Sequence, residues 1–142
     1  MSGTSEGYPP TPFDFDPADR EVREVMRPGV VCVAEDTSLL QTRRAMRAHG
    51  VHAVLVLASG QRPVGWITAR GLLAWIDGDE TLASARDAIS EDVVAVDPSS
   101  SLRDAVAAIL APGVTHLLVR RGENSAPEGV VSEVDLLGYG RE

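Results

Sequence analysis

Two segments of the chain carry side chains that could recognise a sugar phosphate. Residues 129–137 read GVVSEVDLL and the similar residues 65–73 read GWITARGLL, with Gly71 where the later copy has Asp135. A carboxylate accepts hydrogen bonds from two adjacent hydroxyls at once, so Asp135 suits the 2′ and 3′ hydroxyls of a ribose. A helix that starts at Ser132 would offer free N–H groups and a hydroxyl to a phosphate. The pattern predicts one site beside Asp135 and a weaker one beside Gly71.

The same residues also fit a purely structural interpretation. A serine followed three residues later by an aspartate at a helix start forms a capping box, in which Ser132 and Asp135 satisfy each other's backbone amides. In the earlier copy Thr68 takes the place of the serine, and Arg70 either holds a phosphate or is an exposed helix residue. Because Gly71 lacks the carboxylate, the alignment predicts that Gly71→Asp strengthens the weaker site.

Both segments belong to a longer internal repeat. Residues 22–57 align with residues 85–120 at a constant offset, and one extra residue in the second copy shifts the alignment of the later residues. Each copy reads as a strand, a helix, two strands and a closing helix. Neither copy alone can cover both faces of so small a sheet. The sequence therefore predicts an α/β (α+β) fold of tandem β-α-β-β-α repeats, packed about a pseudo-twofold axis.

The predicted elements follow from local signals in each copy. Short β-branched runs at 30–33 and 93–96 predict strands, and Ser/Thr-rich residues then begin helices at about 39–49 and 102–111. Each helix stops before a glycine, the usual residue past a helix end. In the second helix the apolar residues keep helical spacing, which predicts one buried face made of Leu102, Ala105, Val106, Ile109 and Leu110.

The repeat also sets the predicted domain organisation. Residues 1–19 contain four prolines and few periodic apolar residues, which is typical of a flexible arm. The first repeat is predicted over 20–76, a linker over 77–84 and the second repeat over 85–142. The two repeats together are expected to form one compact unit.

The composition argues against several classes of function. A net charge of −8 disfavours general nucleic-acid binding. All thirteen basic residues are arginines, and the patch at Arg43, Arg44 and Arg47 either meets an anion or is a solvated helix face. Apolar runs such as 54–58 are too short to span a membrane, and the first residues lack a secretory signal. With the lone Cys32, these features predict a cytoplasmic protein.

At the level of motifs, the chain resembles a CBS-domain pair, also called a Bateman module. The resemblance covers about residues 20–140 and rests on REVMRPGVVCVAEDTSL, on GVHAVLV and GVTHLLV, and on GVVSEVDLL, which is similar to the family signature G-h-h-[ST]-x-x-D. It implies a regulatory module that binds AMP, ADP, ATP or S-adenosylmethionine between the repeats. It also implies a homodimer in the form of a flat disc and an effector protein that receives the signal in trans.

The resemblance further implies which residues line the two clefts. In the first, Val31 and Val51 are expected to pack against adenine, Met26 to cover it and His52 to reach the ligand. Where the family commonly has a threonine in the first strand, this chain has Cys32 and Ala95. The expected ligand-binding residues are Ser132, Asp135, Val130, Met26, Val31, Val51 and His52 at the first site, and Thr68, Arg70, Gly71, Val94, Val114 and Thr115 at the weaker second site.

Two other functions are compatible with the residues. In the first, the clefts have degenerated and the protein is a ligand-free CBS dimerisation or interaction module. The second is an enzyme, which the sequence disfavours, because no catalytic triad spacing, metal-ligand cluster or glycine-rich phosphate loop is recognisable. We therefore expect no catalytic residue, no bound metal and no resident cofactor.

Overall fold

The computed structural model describes residues 20–138. The predicted arm at 1–19 lies outside this range, and so do residues 139–142. Within it the order of elements is strand, helix, strand, strand, helix in each repeat, preceded by an additional two-residue strand. The elements are β1 (Arg27–Pro28), β2 (Cys32–Ala34), α1 (Leu39–His49), β3 (Ala53–Ala58), β4 (Arg62–Thr68), α2 (Ala69–Leu73), β5 (Ala95–Val96), α3 (Leu102–Leu110), β6 (His116–Val119), β7 (Gly129–Ser132) and α4 (Glu133–Leu137).

The strands form two sheets of like topology, one for each repeat. In the first sheet, with the order β2-β3-β4, α1 connects the parallel pair β2 and β3, and β4 then runs antiparallel to β3. In the second, with the order β1-β7-β6-β5, α3 connects the parallel pair β5 and β6, and β7 runs antiparallel to β6. The predicted tandem β-α-β-β-α fold is confirmed. We call the two halves unit 1 and unit 2 after the repeat that supplies most of each sheet.

The ends of the helices follow from local sequence. Ser38 and Ser101 accept hydrogen bonds from backbone amides of the first turns of α1 and α3. Gly50 ends α1 in the left-handed conformation at φ +63°. The strands are less well predicted, since β2 begins only at Cys32 and β5 only at Ala95. The reason is that the valines before them, Val30 and Val93, leave the ladder and pack between the two sheets.

Each unit is completed by a segment that precedes the other repeat in sequence. The 3-10 turn Val22–Glu24 hydrogen-bonds to unit 2 through Val22 N–H and Ser100 O (2.8 Å), and β1 pairs with β7. The equivalent turn Ala85–Ala88 hydrogen-bonds to unit 1 through Ala85 N–H and Thr37 O (2.7 Å). Val22 and Ala85 are both fully buried. This exchange of entry segments ties the two repeats into one folding unit, and no local pattern in the sequence predicts it.

The interior consists of three apolar clusters. One lies under the helices of each unit, and the third lies between the sheets around Leu55, Trp66 and Leu118. The predicted buried face of α3 is wrong for Val106 and Leu110, which are exposed, because they lie on a stripe beside the one formed by Leu102, Ala105 and Ile109.

Candidate functional site

The carboxylate of Asp135 lies at the start of α4 and makes two kinds of contact. The capping box is present: Asp135 N–H donates to Ser132 Oγ at 3.0 Å, and Ser132 N–H donates to Asp135 Oδ2 at 2.9 Å. The second oxygen, Oδ1, accepts a hydrogen bond from Arg27 Nε at 3.1 Å. The side chain of Asp135 is only 11% exposed, whereas that of Arg27 is 69% exposed. Asp135 is thus held by the capping box and faces a largely exposed cation.

The first repeat contributes to this place through its entry strand. In the β1–β7 ladder Arg27 pairs with Val130. Gly129 allows the close approach, since a Cβ atom there would lie 2.8 Å from Met26 Sδ. The structure therefore places Met26 beside β7 and Val130 within it, near the start of α4, with Met26 packed under α3 and Val130 facing the layer between the sheets. It adds Arg27, which sequence reasoning missed because its pairing with Asp135 spans 108 positions.

Two valines predicted to face adenine lie on the other side of the first sheet. Val31 and Val51 pack against the cluster under α1, whereas Val30 and Ala53 face the layer between the sheets. Val51 takes that side because it completes the end of α1, where its N–H donates to Met46 O at 3.1 Å in a Schellman-type turn after Gly50. Val31 and Val51 therefore lie on the side of the first sheet away from that layer, and their contact with adenine stays a prediction.

His52 takes an intermediate position. It is exposed at the start of β3, and its carbonyl accepts a hydrogen bond from Ala69 N–H at 2.8 Å at the start of α2. Together with Val51 it lines the groove between α1 and α2. A positive charge on His52 would lower the pKa of His116 further. His52 is thus at the margin of the cleft rather than inside it.

In the second cleft, Ser90 occupies the place that a carboxylate at position 71 would need. The hydroxyls of Thr68 and Ser90 lie 3.0 Å apart, and Thr68 N–H donates to Ser90 Oγ at 3.2 Å. A Cβ atom on Gly71 would lie 2.7 Å from Ser90 Oγ and 2.8 Å from Ser90 Cβ. The backbone of Ser90 is held by a hydrogen bond from its N–H to Trp66 O. Gly71 is therefore a steric requirement, and the expectation that Gly71→Asp alone strengthens this site is corrected.

Glu91 fills another part of the second cleft with negative charge. Its carboxylate accepts from Thr115 N–H at 2.9 Å and also from the Thr115 hydroxyl. Because a carboxylate can only accept, that hydroxyl is left to accept from His116 Nδ1–H, which lies 2.8 Å away. Burial lowers the pKa of His116, and the neighbouring Glu91 opposes this shift. The polar groups of Thr115 are thus already used within the chain.

The remaining predicted residues of the second site are dispersed. Val94 and Val114 belong to the apolar cluster under α3. Val31 and Val51 take the equivalent positions under α1 in the first repeat. Arg70 is exposed on α2 and makes no ion pair within residues 20–138.

Trp66, which the sequence analysis did not assign to the site, lies close to the Glu91 network: its ring centroid is 5.7 Å from that of His116. Its buried indole N–H lacks a hydrogen-bond partner among the described residues, a cost of about 1–3 kcal/mol that an acceptor from a water or a ligand would remove.

Other expectations concern charge, metals and membranes. Arg43 Nε donates to both carboxylate oxygens of Glu80, at 3.2 and 2.9 Å, so the predicted basic patch is partly neutralised. Across the described part of the chain, no three His, Cys, Asp or Glu side chains are grouped as a metal site would need. The helices found in residues 20–138 are also too short or too polar to cross a membrane.

Comparison with known proteins identifies the fold and the family. The profile of the CBS domain matches residues 22–78 and 85–142. An uncharacterised protein of Methanopyrus kandleri is 27% identical over 121 residues, which are 82% of this chain and 60% of that protein. The chain thus spans about 60% of the length of this relative.

Solved structures of CBS-domain proteins share the fold. The crystal structure of Hypoxic Response Protein I with two coordinated zinc ions has a TM-score of 0.69 and 22% identity, covering 86% of this chain and 100% of that one. The CBS domain of a bacterial CNNM/CorC family Mg²⁺ transporter in complex with ATP has a TM-score of 0.73 and 20% identity, covering 87% and 88%. The CBS domain of a membrane protein from Sphaerobacter thermophilus has a TM-score of 0.74 and 20% identity, covering 87% and 90%.

The internal repeat, the two sheets of like topology and the profile match over both repeats agree with one another. The protein therefore belongs to the CBS-domain family, as a tandem CBS pair of the regulatory type.

Proposed function

We propose that the protein binds an adenosine-containing ligand, AMP, ADP, ATP or S-adenosylmethionine, beside Asp135 and signals in trans to an effector protein. The observation that carries this proposal is the state of the Asp135 carboxylate. It is almost buried and oriented by the capping box, and among the described residues its Oδ1 accepts a hydrogen bond from the exposed Arg27 alone. A ribose diol would replace that one contact with two charge-assisted hydrogen bonds.

Arg27 gives the same site a means to hold phosphate. An ion pair in which one partner is largely exposed contributes only about 0–1 kcal/mol, so the guanidinium can leave Asp135 at small cost. Its planar donors match the oxygens of a phosphate. A phosphate bound next to the ribose would therefore replace Asp135 as the ion-pair partner of Arg27. Val30 and Val130, which pack in the layer between the sheets, are the apolar residues proposed to contact a base.

The second cleft is proposed to be the weaker of the two. Ser90 leaves no space for a diol-binding carboxylate at Gly71, and Glu91 repels a phosphate. Loss of a charged hydrogen-bond pair costs on the order of 3 kcal/mol, which corresponds to about a hundredfold in affinity. A CBS domain of similar fold has been solved with ATP, so adenine nucleotides are the first ligands to test.

A ligand-free interaction module is the second candidate. It is favoured by the fact that both oxygens of Asp135 and the polar groups of Thr115 already have partners within the chain. In either case we propose a homodimer, a cytoplasmic location and no catalytic activity of its own. The two candidates differ only in whether a small molecule occupies the first cleft.

Thermal denaturation in the presence of each ligand separates them. A ligand at a hundred times its Kd stabilises the folded state by about 2.7 kcal/mol. We expect a rise in Tm with at least one of AMP, ADP, ATP and S-adenosylmethionine at millimolar concentration, and a smaller one with ribose 5-phosphate. No rise with any of them would reject ligand binding and leave the interaction module.

A further inference from the structure

A cavity of about 880 Å³ lies between the turn that joins β3 to β4 in unit 1 and the turn that joins β6 to β7 in unit 2. We call it the turn cavity. In the β6–β7 ladder Val119 pairs with Gly129 at this end, whereas His116 pairs with Ser132 at the end where α4 starts. The two ends of the ladder are about 10 Å apart, at about 3.3 Å per residue. None of the residues predicted for the two ligand clefts is part of the lining.

Two arginines, one from each repeat, line the turn cavity. Arg62 is the first residue of β4, and Arg120 directly follows β6. Neither has an ion-pair partner within residues 20–138. Glu123 also lines the cavity, but it meets Arg120 through its carbonyl, which accepts from Nη1 at 3.1 Å. The neighbouring Arg121 is already paired with Glu128 at 2.9 Å, so Arg62 and Arg120 are the cations available to a ligand here.

The repeat register shows that the fold itself does not require these two arginines. Arg62 aligns with Ala126 of the second repeat, and Arg120 aligns with Leu57 of the first. All four residues line the same cavity, because the two units pack with their turns side by side. An arginine needed to form the turn would be expected in both copies. Each repeat therefore supplies one cation to a place that the other repeat leaves neutral.

The remaining lining is neutral and supplies further hydrogen-bond donors. The hydroxyls and amides belong to Ser59, Gln61, Asn124 and Ser125. Gln61 has a φ of +64°, a left-handed conformation that glycine or asparagine adopts more easily. Residues held in such conformations cluster at ligand sites, where the side chain rather than the turn determines the choice of residue. The turn cavity thus combines two unpaired guanidinium groups with neutral donors.

We propose that the turn cavity binds a small, doubly charged oxyanion, a phosphate ester or a dicarboxylate, between Arg62 and Arg120. The planar donors of a guanidinium match two oxygens of either group. A phosphate ester carries a charge of about −1.5 to −2 at neutral pH, which two arginines neutralise. Because the arginines belong to different units, the bound anion would connect the two turns and stabilise their packing. This site does not depend on the ligand proposed beside Asp135.

Cys32 reports whether the turn cavity is occupied, since it is the one cysteine of the chain and lies exposed on the cavity wall. The measurement is the rate at which the uncharged reagent N-ethylmaleimide labels Cys32 in the full chain. Glycerol 3-phosphate and succinate serve as probes at constant ionic strength. Neither carries a base, because a nucleotide in the first cleft would itself approach the strand of Cys32.

We expect at least one of the two probes to slow the labelling by about threefold or more, because a covered thiol reacts more slowly. Protection by glycerol 3-phosphate alone would assign the site to phosphate esters, and protection by succinate alone to dicarboxylates. No slowing with either probe, or the same slowing with sodium chloride, would overturn the proposal.

Substitutions test whether the two arginines hold the anion. Arg62→Gln with Arg120→Gln should raise the half-protecting concentration by about tenfold or more, since two charge-assisted contacts are lost. Glu123→Gln should lower it by about twofold, because one repelling charge is removed. Arg44→Gln, on the exposed side of α1, is the matched control and should leave it unchanged. Tm values without probe show whether the variants are folded. Undiminished protection of the double variant, or its loss in Arg44→Gln, would contradict the assignment.

Arg27→Ala separates this site from the ligand site proposed beside Asp135. Arg27 lies at the start of α4, at the other end of the ladder, so the protection of Cys32 should persist in this variant. If Arg27→Ala removes the protection, the oxyanion binds beside Asp135. That result would reject the turn cavity as the site and leave the proposed function standing.

Discussion

Arg27 and Ser90 hold equivalent positions in the two repeats, and each contacts the start of the closing helix of the other repeat. Arg27 pairs with the carboxylate of Asp135, whereas Ser90 bonds to Thr68 and takes the space beside Gly71. The large and flexible residue accompanies the aspartate, and the small and fixed one accompanies the glycine. The repeats therefore differ at two coupled pairs of positions: glycine at 71 and aspartate at 135, and serine at 90 and arginine at 27.

Asp135→Asn is expected to weaken AMP binding by about tenfold to a hundredfold. The amide keeps one acceptor for the capping box but loses the charge that strengthens both hydrogen bonds to a diol. Titration calorimetry measures the change. Asp87→Asn is a matched control, because Asp87 forms the same kind of capping box with Ser84 at another helix start. An unchanged Kd for Asp135→Asn would remove the basis of the proposed ligand site.

Arg27→Ala is expected to change the preference between AMP and adenosine. Without the guanidinium, Asp135 is free for the ribose, so adenosine should bind as well as before or better. AMP should lose about threefold to tenfold relative to adenosine, since the phosphate loses a partner that is largely exposed. Competition titrations of the two ligands give this ratio. Arg23→Ala, which removes an exposed arginine paired with Glu21, should leave the ratio unchanged, and an equal loss for both ligands with Arg27→Ala would contradict the phosphate role.

Gly71→Asp is expected to destabilise the fold by about 1–3 kcal/mol without improving the second cleft. Its Cβ atom would overlap with Ser90, and overpacking in a fixed environment has costs of this size. Addition of Ser90→Gly should recover most of the stability, because it removes both atoms in the way. Urea denaturation of the single and double variants measures this coupling. Additive effects of the two substitutions would show that Ser90 is not the obstacle.

His116 is expected to make the protein less stable as the pH falls below about 6.5. Burial lowers its pKa from the ordinary value of 6.5, so the unfolded chain takes up the proton more readily than the folded one. The contribution is fully present above pH 6.5 and is lost as the pH falls towards the lowered pKa of the folded state. Urea denaturation between pH 7.5 and 5.5 should show a flatter dependence for His116→Asn than for the wild type. His49→Asn, at the exposed end of α1, serves as the control, and an identical slope for all three proteins would refute the role of His116.

Local sequence determined the elements of this protein and the chemistry of one site. The helix α1 has the predicted bounds, because its cap at Ser38 and its end at Gly50 depend on residues within one turn. The closing helices begin directly after Thr68 and Ser132, the residues predicted to start them, which act as their N-caps. The capping box between Ser132 and Asp135 could be predicted from four consecutive residues. The repeat itself was sufficient to predict two similar units.

Tertiary structure alone decided which residues surround these sites. The entry segments cross to the other unit, so Arg27 meets Asp135 and Ser90 meets Thr68, contacts that no local pattern contains. The side of the sheet taken by Val51 depended on the end of α1 rather than on strand alternation. Hydrogen bonds of capping and turns connect residues a few positions apart, whereas clefts arise where units pack, and packing depends on apolar surface gathered from the whole chain. For this reason the sequence specified the carboxylate of the proposed ligand site, and only the folded pair specified its neighbours.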